Sequence, residues 1–199
     1  MSLYRYEERR AGSGAPLLLL LHGTGGDPRQ LLGLGAELAP EAHLVAPAGD
    51  VLEHGVPRFF KRRAEGVYDM DDLARATDKM QRFVKRLVDD DKPASVMALG
   101  YSNGANILAS LLFAAPGAVD RAVLMHPLIP FEAKPQPALK DKPVLITAGR
   151  NDPVSPAPLT ERLESWFRVQ GAAVETAWHE GGHELRREEL EAVRRFLSR

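Results

Sequence analysis

The 199-residue chain contains no cysteine, which removes disulfides, thiolate metal sites and a thiol nucleophile from consideration. Such a composition suits a reducing compartment. An excess of either charge is missing too. With 26 Lys and Arg against 27 Asp and Glu, neither nucleic acid nor an anionic membrane is an expected partner. No stretch approaches the roughly 20 apolar residues of a membrane span. The run PLLLLL at 16–21 is short, follows YEERR and leads into HGTGGDP without a small-residue cleavage site, so it does not read as a signal peptide. A cytoplasmic protein is expected. Repeats and charge-block tails are absent. No H-E-x-x-H occurs, since HEGGH at 179–183 departs from that pattern after two letters, and no G-K-[ST] follows HGTGG as a phosphate loop requires. Neither a metal nor a cofactor is expected.

What is present is an ordinary globular composition, 44% hydrophobic and 27% charged, in a length that suits one domain over 1–199. Candidate strands are Leu3–Arg9, Leu17–Leu21, Leu44–Ala46, Ser95–Leu99, Ala122–Met125, Pro143–Ala148 and Val174–Trp178. Several are almost continuous in Leu, Val, Ile and Ala, as in parallel strands buried on both faces. Helical spacing appears over 69–90, at Leu73, Ala76, Met80, Phe83, Val84 and Leu87. It recurs over 157–170 and in the last segment, through Leu190, Val193, Phe196 and Leu197. The alternation argues for a mostly parallel sheet of about seven strands with helices on both faces. Two irregular stretches, 48–68 and the proline-rich 127–143, follow strands on the edge where open α/β sheets bind ligands.

One stretch concentrates the chemistry. In MALGYSNGANILASLLF, residues 97–113, an apolar run stops at Gly100, Ser102 sits between two glycines, and a small-residue helical pattern follows. GYSNG matches G-x-S-x-G, the strand–turn–helix corner that exposes a nucleophilic serine. Three matched positions are weak evidence alone, and the flanking strand and helix strengthen them. An activated serine needs a base, and the base needs an orienting acid, in the chain order Ser, Asp or Glu, His. Asp152 lies just past a strand in GRNDPVSP, and His183 lies in a glycine-flanked loop in HEGGHEL. His179 remains an alternative base. His126 precedes Asp152 and breaks the order. Asp120 and Asp141 precede strands and belong to the opposite edge. The oxyanion formed on attack needs N–H donors. Asn103, after the nucleophile, supplies one, and Thr24, in the loop after the strand ending LLLLLHG, supplies the other. His22 is expected to hold that loop.

These residues resemble the α/β-hydrolase superfamily. More narrowly, LLHGTGGDP, RFFKRRAEGVYDMDDL, GYSNGANI, HPLIP, AGRNDPVSP and GGHEL look like the small bacterial carboxylesterase/phospholipase group related to acyl-protein thioesterases. Within it they are most similar to esterases linked to hydroquinone stress. The thioesterases proper usually read G-F-S-Q-G-G where this chain has GYSNGA, which weakens a protein-deacylating role. The resemblance implies an α/β-hydrolase fold, nucleophile Ser102, acid Asp152, base His183, oxyanion donors Thr24 and Asn103, and a homodimer.

The expected activity is hydrolysis of small or short-acyl carboxylic esters through an acyl-enzyme. Thioester or lysophospholipid hydrolysis with the same triad is the alternative. A receptor that keeps the fold without catalysis is another. Arg58, Phe59 and Tyr101 are candidate pocket walls. Lys61, Arg62 and Arg63 are expected to be solvated and paired with Glu65 or Asp69. Between Met125 and Pro143 there is little room for a lid, and prolines at 127, 130, 135 and 137 disfavour a continuous helix before Ala138.

Overall fold

In a computed structural model that describes residues 3–199, strand and helix alternate along the chain. It begins with β1 (Tyr6–Arg9), β2 (Leu17–Leu21), α1 (Pro28–Leu38) and β3 (His43–Pro47). Two hairpins follow, β4 (Val51–Glu53) with β5 (Val56–Arg58) and β6 (Arg62–Ala64) with β7 (Val67–Tyr68). Next come α2 (Met70–Asp91), β8 (Val96–Tyr101), α3 (Asn103–Ala114) and β9 (Arg121–Met125). The chain closes with β10 (Pro143–Gly149), α4 (Ala157–Val169), β11 (Ala173–His179) and α5 (Arg187–Leu197).

Seven strands form the main sheet in the order β1-β3-β2-β8-β9-β10-β11. Only β1 runs antiparallel to its neighbour, and the other pairings are parallel. The leucine run of β2 shows why such strands lack polar alternation. Leu17, Leu19 and Leu21 pack into a core with Met80, Phe83, Ile107, Leu111 and Phe167, on the side of α2, α3 and α4. Leu18 and Leu20 pack on the other face with Leu38, Val193, Phe196 and Leu197, from α1 and α5. Side chains alternate between faces, and both faces are covered.

The long helix α2 keeps the expected apolar stripe. Asp69 caps it by accepting from Asp72 N, and Lys92, with φ 47°, ends it in the left-handed conformation. Helix α1 was not apparent from periodicity. Asp27 caps it and Pro28 opens it, while Gly35 lies so close to the sheet that a Cβ there would sit 2.6 Å from Leu20 Cδ1. Tyr4 leaves the first candidate strand to pack edge-on against Phe83, which is why that strand begins only at Tyr6.

The two irregular stretches differ. Residues 48–68 carry the two hairpins rather than a featureless loop. Residues 127–143 contain only a short 3₁₀ turn, Pro137–Leu139, and they are pinned down rather than free. Leu128 N–H donates to Asn106 Oδ1 (2.7 Å), Leu128 O accepts from the Tyr68 hydroxyl (2.5 Å), and Leu128 and Ile129 are buried. Among the described residues no helix is long and apolar enough to cross a membrane.

Candidate active site

Strand order reverses between β2 and β8, and their carboxyl ends open the crevice where such sheets place ligands. Ser102 follows β8 directly, with φ 51° and ψ −115°, a strained backbone of the kind that persists where the surroundings over-determine it. The glycines permit the corner by close approach rather than by unusual dihedrals. A Cβ on Gly100 would lie 2.3 Å from Gly104 O, and one on Gly104 would lie 2.0 Å from Leu21 O. Helix α3 can therefore start hard against β2 and β8 only with both side chains missing.

The loops after β8, β10 and β11 bring three side chains together. Ser102 Oγ lies 2.9 Å from His183 Nε2, and His183 Nδ1 lies 2.7 Å from Asp152 Oδ2. Asp152 Oδ1 accepts from the N–H groups of Val154 (2.8 Å) and Ser155 (2.9 Å). Burial pushes the Asp152 carboxyl up, but the bonds from Ser155, His126 and His183 outweigh it and hold it below the usual range. Tyr101 clamps the histidine loop, donating its hydroxyl to His183 O (2.7 Å) while its ring packs 5.5 Å from the imidazole. Burial, with Asp152 nearby, raises the Tyr101 hydroxyl to about 12, so it remains a donor.

The loop after β2 runs beside the serine, and a Cβ on Gly23 would meet Ser102 Cβ at 3.4 Å. His22 shapes that loop. Its Nε2 accepts from Gly49 N–H (2.9 Å), so its proton sits on Nδ1 and is donated to Gly23 O (2.7 Å). Burial lowers its pKa, and with both nitrogens engaged the ring has no free atom for proton transfer. Among the described residues, the backbone N–H groups of Thr24 and Asn103 have no acceptor. Both are therefore free to meet an anionic oxygen.

Arg58 and Phe59 separate in the structure. Arg58 lines a cleft of about 250 Å³ over Ser102, with Arg62, Tyr68, Asn106 and Leu128. Its Nη1 donates to Thr24 Oγ1 (2.6 Å), bracing the loop. Phe59 does not line the cleft, contrary to the sequence expectation. Its ring is fully buried against His22 (4.7 Å), and its contribution is a backbone N–H given to Asn103 Oδ1 (2.8 Å). Just past the end of β5, both Phe59 and Phe60 turn into the core beside α2 and α3. Arg62 departs from the solvated reading as well. It is half-buried, lines the cleft, and pairs with Glu53 (2.8 Å) and Glu65. The expected pairing with Glu65 is made by Arg62, whereas Lys61 is tied through its backbone, its N–H donating to Asp72 Oδ2 (2.7 Å) and its carbonyl accepting from Asp69 N–H (3.2 Å).

The rival residues lie elsewhere. Asp120 accepts from Val96 N–H (2.7 Å) at the amino ends of the strands, and Asp141, whose N–H donates to Gly171 O (2.8 Å), precedes β10 at that same edge. The rings of His179 and His126 are buried, and neither bonds to Ser102. His126 Nδ1 lies 2.8 Å from Asp152 Oδ2, and its Nε2 lies 3.4 Å from both Glu189 Oε1 and His179 Nε2. Glu189 went unread in the sequence. The signal was a carboxylate on the apolar stripe of α5, four residues before Val193, where the helix faces the sheet.

The spacing of His126, His179 and Glu189 would also suit a metal ion. Proton positions argue against one. His179 Nδ1 accepts from Gly181 N–H (3.0 Å), so a neutral ring presents an N–H, not a lone pair, at Nε2. Glu189 is already occupied by Thr147 Oγ1 (2.6 Å) and Arg186 N–H (2.6 Å).

Comparisons with known proteins agree with this architecture. The chain is 42% identical over 187 residues to "Putative hydrolase MhqD" of Bacillus subtilis (strain 168), covering 93% of this chain and 94% of that protein. The crystal structure of Atu2452 from Agrobacterium tumefaciens str. C58, a protein of unknown function, superposes with TM-score 0.92 at 52% identity, covering 98% and 96% of the two chains. A carboxylesterase of Bacillus cereus superposes with TM-score 0.93 at 37% identity, covering 98% and 93%. The protein is thus a hydrolase of the carboxylesterase type on an α/β-hydrolase fold. The model of the dienelactone hydrolase family matches residues 45–191, and the chain belongs to that family.

Proposed function

We propose that the protein is a serine carboxylesterase that cleaves small carboxylic esters through Ser102, His183 and Asp152. The observation that carries this reading is the continuous hydrogen-bonded line from Ser102 Oγ through His183 to Asp152, at 2.9 and 2.7 Å. Ser102 Oγ attacks the ester carbonyl while His183 Nε2 takes its proton. The N–H groups of Thr24 and Asn103 hold the oxyanion, and such donors contribute a few kcal/mol each. His183 then protonates the leaving alcohol, and water repeats the sequence to release the acid. Asp152 holds the ring with Nδ1 protonated and stabilises the imidazolium, without taking the proton itself.

The cleft supports a small substrate. Its volume of about 250 Å³ falls below the roughly 300–1,000 Å³ of ordinary ligand sites. Its walls mix polar and apolar surface, and the charges of Arg58 and Arg62 face Glu53 and Glu65. Little apolar surface is offered to a long acyl chain. Labelling by a fluorophosphonate probe, lost in Ser102→Ala, is the expected result. Unchanged labelling in that variant, or esterase activity surviving it, overturns the reading.

A further inference from the structure

We propose that His126 is a buried imidazolium bridging Asp152 and Glu189, and that its charge, lying behind the triad carboxylate, sets the pH range over which His183 acts as base. This rests on the reading of His183 as the base. His126 touches neither substrate nor serine, and so it is a positioning residue.

The first argument is charge balance. The Asp152 and Glu189 side chains are 0% and 1% exposed, and burying two carboxylates without a counter-charge is costly. Among the described residues no lysine or arginine side chain bonds to either. The groups around them are the hydroxyl of Thr147, backbone N–H groups, and the rings of His126, His179 and His183. Of these rings only His126 reaches both carboxylates, at 2.8 Å from Asp152 and 3.3 Å from Glu189.

The second argument is proton placement. Asp152 Oδ2 accepts from two imidazoles, so His126 must carry a proton on Nδ1. With its Nδ1 taken up by Gly181 N–H, His179 carries its proton on Nε2, within reach of His126 Nε2 (3.4 Å) and Glu189 Oε1 (3.5 Å); if His126 Nε2 is itself protonated, that N–H is left to Glu189. A second proton on His126 Nε2 then completes a donor at each end of the ring, one per carboxylate. Burial disfavours the charged ring, but bonds to Glu189 and Asp152 outweigh it and raise His126 above its usual value. Glu189 is pushed up by burial and brought below its usual value by His126, Thr147 and Arg186 N–H.

The consequence for catalysis is electrostatic. The His126 and His183 rings are 5.2 Å apart, both on one carboxylate oxygen. A fixed positive charge there opposes a second one on His183, and so keeps the base available at lower pH. The other groups facing His126 are Glu189 from α5, His179 from β11 and Tyr101 from β8, whose ring lies 5.9 Å away.

Two measurements test this. In a long-range ¹H–¹⁵N spectrum of the wild-type protein at about pH 7.5, well above the reference value of a free imidazole, both His126 nitrogens should be protonated. The signals are assigned by their loss in His126→Gln. In the kinetics of His126→Gln the acid limb of kcat/KM should move up by roughly one pH unit, with the plateau within about tenfold of wild type. His126→Asn serves if the glutamine variant does not fold. A neutral His126 in the spectrum, or coincident acid limbs, overturns the proposal. Those outcomes leave the esterase reading intact, whereas activity surviving in Ser102→Ala would remove that reading without touching the spectrum.

Discussion

Asp152 Oδ2 separates two imidazoles that look alike in sequence and differ in everything their surroundings decide. His183 sits in the loop after β11, its side chain 22% exposed, and reaches Ser102 at the mouth of the cleft. His126 directly follows β9 with φ 51°, its side chain 0% exposed, and reaches Glu189 in the interior. One ring has a serine hydroxyl and access to water, and the other has two carboxylates and neither. The lesson is that the bonding partner does not assign the role of a histidine; what lies on its far side does.

The largest effect should come from the exposed side. Ser102→Ala, His183→Ala and the double variant should each lose at least about 10³-fold in kcat, with no further loss in the double, because the residues act as a unit. His126→Gln assayed beside them should stay within about tenfold. If it is as dead as His183→Ala, the contrast between the two rings fails.

Asp152→Asn touches both rings. It should lower kcat by less than loss of the serine, and it should also cost about 1–3 kcal/mol of stability, since His126 loses its acceptor. Denaturant unfolding beside steady-state kinetics checks this. A kinetic defect with wild-type stability would mean that Asp152 serves His183 alone.

Glu189→Ala sharpens the interior side, with an expected loss of about 3 kcal/mol and aggregation or a lowered Tm. The accompanying pH dependence has a definite sign. His126 is held above its usual value of 6.5, so its contribution is fully present below that value and is lost as pH rises through its folded value. The urea midpoint gap between wild type and His126→Gln should therefore be widest below the ordinary imidazole value and narrow as pH rises through the folded value of His126. The carboxylates act in the other direction. Asp152 and Glu189, held below their usual values, contribute stability that fades as pH falls through their folded values.

The smallest effect concerns the cleft. At about 0.8 kcal/mol per buried methylene, rates on p-nitrophenyl esters should rise over only the first few acyl carbons and then level off. A steady climb to long chains would show an apolar channel beyond the cleft of about 250 Å³.

Much of this was legible from residue order alone. Continuous apolar runs marked buried parallel strands, because helices on both faces leave no polar side for alternation. The elbow could be read because sterics at Gly100 and Gly104 tolerate no side chain, a constraint visible in composition. The convergence of Ser102, Asp152 and His183 was legible because chain order in such a sheet delivers loops to one edge. Helix α1 was obscured by Gly33 and Gly35, which weaken helical propensity, and Gly35 is there to let the helix approach Leu20. Arg58 and Phe59 are adjacent in sequence, yet one reaches the cleft and the other the core. The direction of a side chain in a short hairpin depends on how that hairpin docks, not on its letters. The pairing of His126 with Glu189 spans 63 positions between a strand end and a helix start. Only packing of α5 against β10 and β11 brings them into contact, and burial, a property of the assembled core, gives that contact its charge.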